Sequence, residues 1–355
     1  MRTILFITQN NSSAALAKRI QDSGDKVLVE SNLFEGTLFN PEVFKRVVRE
    51  NPELVIIDSN FEASPSVKIE FEKMGIPVYG SSLLSKSAFY NPRYVERILN
   101  INGLKTEDIP ETSIPITYSV ILNGKKDLAV CLFFEYWRFM NEDKGPKAFM
   151  GSIGYYGEIS IISNKMYSMV QALIKAGFSG RIDFLLHLEK DIWCSGMNFY
   201  FSWNTIYNFL ENINLNPSEL FYGLSMNLDM DLKFKSKWGC QINCGVPPFP
   251  YTIFKDNQTM IKGIDSNNSK HLWIMNFNTG ELLCATGRGN YVREAKRRAY
   301  RTLSNIQADD IMYRTDIGLD TVDVCRKMRS QDWLKIEDDE LMEPFKKETV
   351  QLHQV

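Results

Sequence analysis

The sequence predicts an α/β unit followed by α+β structure, and three observations carry that reading. Short β-rich runs alternate with helical segments over the first 105 residues. Longer strands around a single helix take over from Ile116. At 355 residues the chain also exceeds the ~250 at which single cores stop growing, so two or three domains are expected.

In the first stretch, strands are expected at 3–7, 26–30, 54–58 and 76–79, and helices at 14–21, 41–50 and 66–74. A further helix opens at Pro92, where a missing N–H costs no intrahelical bond, and ends near Gly103. Strands alternating with helices imply a parallel, Rossmann-like sheet, whose ligands sit at the carboxyl ends of the strands. The loops there are 8–13 and 58–62; Thr8 to Ser13 contains no glycine that would let backbone amides approach an anion, so its polar residues read as helix caps.

The second stretch predicts strands at 117–122, 128–136, 180–188 and 192–201 around a helix at 166–176. Between them lie Asp143 to Lys147 and Met150 to Gly157. Their glycines, Gly145, Gly151, Gly154 and Gly157, suit either a loop with exposed amides that cradles an anion or a flexible hairpin. The third stretch predicts strands at 228–234, 270–276 and 282–287 and a helix at 291–306. Val292, Ala295, Ala299, Leu303 and Ile306 share one face of that helix. Arg293, Lys296, Arg297 and Arg301 lie on the other side, a solvated face or a surface for nucleic acid. Beyond Gly318 the chain becomes strongly charged and a loose tail is expected.

Composition narrows the function classes. Hydrophobic residues at 44% and charged residues at 24% exclude intrinsic disorder. Lys+Arg 41 against Asp+Glu 43 leaves a net charge of -2, so any basic site must be local. Six cysteines, at 131, 194, 240, 244, 284 and 325, are too sparse for a disulfide scaffold, and Cys240 and Cys244 lack a second pair for zinc. No apolar run is long enough to span a membrane, because Glu135 interrupts the best candidate at 128–136, and the start of the chain does not read as a secretory signal. A cytoplasmic location is expected.

Four segments, in order, resemble the glycinamide ribonucleotide synthetase (phosphoribosylamine–glycine ligase) family of the ATP-grasp superfamily. Pro52-Glu53-Leu54-Val55-Ile56-Ile57-Asp58, then Gly75-Ile76-Pro77-Val78-Tyr79-Gly80 and a helix ending Asn102-Gly103-Leu104-Lys105-Thr106, are similar to its amino-terminal domain. Gly145-Pro146 with Met150-Gly151 and Gly154-Tyr155 resembles its GPNTGGMGAY loop. Tyr313-Arg314-Thr315-Asp316-Ile317-Gly318 matches its YRxDIG signature, the most specific of the four.

The departures fall on the parts that handle ATP. Where the family inserts a small lid domain carrying a lysine and a glycine-rich loop, only about ten residues stand after Thr106. The family's metal-binding strand EFNCRFGDPE aligns with Ser195 to Asn204: Gly196 replaces the magnesium glutamate, Tyr200 the arginine and Asn204 the last glutamate, while Asn198 survives. Gln9-Asn10-Asn11 and Asp58-Ser59-Asn60 replace two glycine-bearing loops. Phosphoryl transfer to a carboxylate relies on metal and cationic groups to neutralise the phosphates, so conventional ATP-dependent ligation is not expected.

The resemblance implies a Rossmann-like parallel-sheet domain over 1–106, a truncated ATP-grasp-like core without its lid over 107–225, a small C-terminal α+β domain over 226–330 and a charged tail over 331–355. It implies substrate contacts at Lys144, Gly145, Pro146, Gly151, Gly154, Asn198, Arg314 and Asp316. It names no catalytic residue, and neither metal nor cofactor is expected. The function it points to is a C–N bond-forming transferase that joins a glycine-like amino acid to a nucleotide or nucleic-acid substrate activated elsewhere. DNA is thus among the partners this reading admits. The alternatives are a non-catalytic ligand-binding scaffold and a minimal ATP-dependent ligase.

Overall fold

A computed structural model describes residues 1–8, 12–31, 34–35, 38–58, 64–138, 148–250, 259–275 and 280–341. The first unit is built on four parallel strands in the order β2-β1-β5-β6: β1 Thr3–Ile7, β2 Lys26–Glu30, β5 Leu54–Ile57 and β6 Val78–Tyr79. A two-stranded pair, β3 Phe34–Glu35 and β4 Leu38–Phe39, precedes β5. The parallel sheet is covered on both faces. Ile4, Phe6, Leu54 and Ile56 join Leu16 and Ile20 of α1 (Ala14–Asp22), whereas Leu5, Ile7, Val55 and Ile57 pack on Val47 of α2 (Pro41–Arg49) and Val67 and Phe71 of α3 (Ser64–Lys73). Burial on both faces explains why β5 reads as an unbroken apolar run.

Two helices follow, α4 Leu83–Tyr90 and α5 Pro92–Ile101. Asn91 caps α5 by accepting from the Tyr94 N–H at 3.2 Å, with Pro92 at the first position. The α4 helix was not expected; Ser82 and Ser85 form its reciprocal capping box.

The larger sheet has eight antiparallel strands in the order β11-β10-β7-β8-β9-β12-β14-β13. Its members are β7 Ile114–Asn123, β8 Asp127–Trp137, β9 Phe149–Tyr155, β10 Ser179–Leu188, β11 Ile192–Phe199, β12 Trp238–Gly245, β13 Leu272–Ile274 and β14 Glu281–Gly289. The stretch 107–225 supplies β7 to β11 and the stretch after 226 supplies β12 to β14, so one sheet runs through both. On one face lies α6 (Ser160–Lys175), met by Tyr118, whose hydroxyl donates to Ser163 Oγ at 3.3 Å. The helix α9 (Val292–Ser304) packs close against β14, because Gly287 has no Cβ: one there would stand 2.6 Å from the Ala295 carbonyl oxygen. On the opposite face lies α7 (Ile206–Asn212), buried along its whole length and followed by α8 (Pro217–Ser225).

Three expectations need correction. The glycine-rich segment 150–157 forms no exposed loop: most of it is β9, an interior strand between β8 and β12. At Gly151, φ is +156° and a Cβ would meet the Gln241 carbonyl oxygen at 2.3 Å, so glycine here serves close backbone packing. No strand forms over 228–234 beyond an isolated bridge from Phe234 to Ile213; Leu228 is 44% exposed, and Asp229 and Asp231 turn outward to Lys126 and Lys233. The chain after Gly318 is not loose as far as Leu341. There α10 (Thr321–Ser330) buries Cys325 and Met328, and Trp333, Leu334, Ile336 and Leu341 of the segment ending in α11 (Asp338–Leu341) join the core. All six cysteines are buried and free.

Candidate functional site

Polar side chains gather on the α7 face of the large sheet. The helix lies across the strands, and polar residues three apart, Thr205, Asn208 and Glu211, each meet a different strand. Thr205 Oγ1 accepts from Arg181 Nη2 at 2.5 Å, and Arg181 closes a fork on Asp183 with bonds of 2.9 and 2.7 Å. Ser119 completes that knot by donating to Asp183 Oδ1 at 2.6 Å, and the rings of Phe133 and Phe209 each lie 5.2 Å from the guanidinium. Asn208 donates to Ser152 and accepts from the Tyr156 hydroxyl at 3.0 Å, while its own N–H donates to Gln241 Oε1 at 2.9 Å. Glu211 reaches Thr286 of β14 at 2.9 Å. Most of these buried polar groups satisfy one another; the exception is Arg181 Nη1, a buried donor with no hydrogen-bond partner among the described residues.

Beyond the amino end of α7 the same face opens into a cavity of about 600 Å3, lined in part by Thr117, Glu135, Trp137, Arg138, His187 and Ser195. A second cavity of about 340 Å3 shares Pro115, Glu135 and Trp137 with it and continues to Arg314, Asp316, Asp320 and Thr321. Antiparallel register aligns these residues, since β7 pairs Thr117 with Leu185 of β10 and with Phe133 of β8. Glu135 stands between the two cavities. Its Oε1 accepts from Thr117 Oγ1 at 2.6 Å and its Oε2 from Trp137 Nε1 at 3.1 Å, while burial raises its carboxyl above the usual range. His187 Nε2 lies 3.1 Å from Ser195 Oγ and its Nδ1 lies 3.5 Å from Ser113 Oγ; burial lowers its imidazole, favouring the neutral form. Burial thus shifts the two groups in opposite directions, which makes the carboxylate a stronger proton acceptor than a free one and keeps the imidazole neutral and able to accept a proton.

The residues singled out from the sequence are placed as follows. Lys144, Gly145 and Pro146 lie outside the described residues. Gly151 and Gly154 are buried in β9, Gly154 on the α7 face between Phe133 and Gly239 and Gly151 on the opposite face, so the two do not form one cradle. Asn198 is exposed on the edge strand β11, opposite Asp183. Arg314 and Asp316 line the smaller cavity. The Arg314 fork is occupied by Asp316 at 2.7 and 2.5 Å, and its Nη1 donates to the carbonyls of Trp137 and Arg138 at 3.2 and 3.4 Å. That bond raises the arginine and lowers the Asp316 carboxyl.

Glu135 and His187 were not among the residues expected to act. The signal for Glu135 was present as the one charge interrupting an apolar run, and His187 is one of only three histidines. At Gly196 an added Cβ would meet nothing nearer than Leu185 Cδ1 at 3.5 Å, so the place has room for a side chain but offers no carboxylate. Among the described residues no group of three or more His, Cys, Asp or Glu is arranged to hold a metal ion. Likewise, no helix among them is long and apolar enough to cross a membrane.

No known family profile matches the chain and no curated protein matches its sequence. Solved structures do match. The phosphoribosylamine–glycine ligase of Thermotoga maritima superposes with a TM-score of 0.60 at 14% identity, over 89% of this chain and 100% of that one. The glycinamide-RNase-transformylase T of Mycobacterium tuberculosis gives 0.52 at 13% identity, over 86% and 100%. The biotin carboxylase domain of Hydrogenobacter thermophilus 2-oxoglutarate carboxylase gives 0.58 at 8% identity, over 87% and 91%.

The fold is ATP-grasp-like. Identities this low establish architecture alone. Within this ATP-grasp-like fold, residues 102–113 connect α5 to β7 with no helix or strand, only a bridge from Lys105 to Trp193. No lid domain is inserted at that point.

Proposed function

We propose that the groove on the α7 face is the site of a C–N bond-forming transferase, in which the amine of a glycine-like amino acid attacks a nucleotide or nucleic-acid carbon already carrying a phosphate leaving group. The C–N bond forms as the C–O bond to the leaving group breaks, and the phosphate departs with the electron pair. The proton lost by the amine passes to the His187 imidazole or the Glu135 carboxylate. The observation that carries the reading is the pair itself: two groups with oppositely displaced proton affinities lining one open cavity of about 600 Å3. The ATP-grasp-like fold supports ligase-type chemistry by analogy. Activation elsewhere fits Gly196, which brings no carboxylate to the strand that aligns with a metal-binding one, and the short connection 102–113.

The test is an incubation of isotope-labelled glycine with nucleosides and oligonucleotides bearing a phosphate leaving group, with no ATP, read by mass spectrometry. Labelled adduct is expected. Because proton acceptance contributes about 100-fold or more, Glu135→Gln and His187→Gln together should reduce the rate by at least that factor. Adduct that forms only when ATP is added, or equally well in the double variant, contradicts the reading. Ligand-induced stabilisation without adduct would instead favour a binding scaffold.

A further inference from the structure

At the far end of α7 a second polar cluster takes no part in the reaction proposed above. Glu211 is almost fully buried there. It accepts from Thr286 Oγ1 at 2.9 Å, lies 2.9 Å from His271 Nδ1 and has Arg288 Nε at 3.5 Å. Arg19 of α1 comes to the same corner, its guanidinium 4.0 Å over the Trp273 ring, donating to the carbonyls of Lys270 at 2.6 Å and Leu272 at 2.7 Å. The Lys235 backbone N–H donates to the Asn212 carbonyl at 2.7 Å, which seats Lys235 beside the carboxyl end of α7. Partial burial first, and then the positive charges of Arg288 and Arg19, hold its ammonium below the usual lysine range.

The charges here do not balance. Three cations, Arg19, Lys235 and Arg288, and His271 gather around one buried carboxylate, Glu211, whose two oxygens are already engaged by Thr286, His271 and Arg288; Asp22, whose charge also acts on Arg19, is paired with a further cation, Lys18. Among the described residues the Lys235 ammonium has no hydrogen-bond or ion-pair partner. Gathering like charges without a counter-charge costs the folded chain free energy. A chain of net charge -2 has no general excess of base to put here by default. Lys235 is exposed and Arg288 keeps 36% of its side chain open to solvent, so an incoming group can reach both.

We propose that this corner binds a phosphate group, that of a nucleotide or of a polynucleotide backbone, with Lys235 and Arg288 in contact and Arg19 behind them. Arg288 turns its Nε to Glu211, which leaves its terminal nitrogens for a planar, forked contact with phosphate oxygens, and Lys235 supplies a compact charge. The place is distinct from the groove: β14 and β13 form the opposite side of the sheet from β10 and β11, with β7, β8, β9 and β12 between. The inference rests on the cluster alone and stands whether or not the groove transfers an amine.

The experiment titrates the full chain with inorganic phosphate, a nucleoside monophosphate and a short fluorescein-labelled single-stranded oligonucleotide, each at two salt concentrations. Because hydrogen bonds to charged groups are the strong ones, Lys235→Glu should weaken the bound probe by about tenfold or more. Lys235→Arg should retain binding. In phosphate-free buffer Lys235→Glu should melt no lower than the wild type, since a repulsion is removed; this separates lost binding from lost folding. An oligonucleotide that binds more tightly than the monophosphate, with a salt slope reduced by about one in the Lys235→Glu variant, assigns the phosphate to a polynucleotide. Equal affinities assign it to a mononucleotide. If no probe binds the wild type, or wild type and Lys235→Glu bind equally, the proposal is wrong.

Discussion

Arg181-Ile182-Asp183 and Arg314-Thr315-Asp316 are the same local arrangement, an arginine and an aspartate two residues apart that close a forked ion pair, yet the chain uses them differently. The first lies on β10 beneath α7, with side chains 3% and 1% exposed, and Thr205, Ser119 and two aromatic rings fill the space around it. The second lies at the lip of the smaller cavity, where Arg314 is 5% exposed but Asp316 is 32% exposed. A short motif thus fixes a geometry, and what is laid over it decides whether that geometry is sealed structure or the wall of a site. Removing one partner of a buried pair strands a charge, whereas at a wetted pair water takes up much of the loss.

The largest effect expected from breaking this contrast is at the sealed pair. Asp183→Ala leaves the Arg181 guanidinium buried without its carboxylate and should cost about 3–5 kcal/mol in urea-denaturation experiments. A loss under ~1 kcal/mol would show that water reaches the pair and that the two sites are alike. The open pair should respond less and with a pH signature. Arg314→Lys keeps the charge but gives up the fork to Asp316, and about 1–2 kcal/mol is the expected cost. Because the Arg314 bond lowers the Asp316 carboxyl, its stabilisation is complete above the ordinary carboxylate range and is lost as pH falls through the folded value. A wild-type melting temperature that drops on acidification more steeply than that of Arg314→Lys is the outcome to look for. Parallel curves would remove the pair from the stability of the lip. Smallest of all is Gly196→Glu. An added Cβ meets only Leu185 Cδ1 at 3.5 Å, and the position is partly open to solvent, so stability should change by less than ~0.5 kcal/mol. Calorimetry with Mg-ATP should show no binding gained, since one carboxylate restores neither a lid nor the rest of a metal site.

The two sheets differ in how far the sequence discloses them. Each strand of the parallel sheet is a short apolar run bounded by helical segments, so local pattern suffices, and strands were expected near 3–7, 26–30, 54–58 and 76–79. In the antiparallel sheet β9 and β12 escaped notice. Phe149–Tyr155 carries two glycines and reads as a loop, and Trp238–Gly245 is buried on every residue, so neither shows the alternation that marks a half-exposed strand. Asp229 and Asp231 interrupt the segment that was expected to pair in their place. The site follows the same division. Arg314 and Asp316 were found through a contiguous motif, but Glu135 and His187, about fifty residues apart in sequence, were not.

By itself the sequence determined the parallel first unit, the short connection from α5 to β7 and the presence of one carboxylate inside an apolar strand. These are local properties, set by propensity, chain length and the cost of placing a charge among apolar neighbours. Only the tertiary structure decided that Thr117, Glu135 and His187 share one face, that α7 seals Arg181 and Asp183 while leaving Glu135 open, and that Arg19, Lys235 and Arg288 converge at one corner. A strand's alternation says which of its residues lie together on one side. Which side that is, and what covers it, depends on register with strands distant in the chain and on where a crossing helix comes to rest.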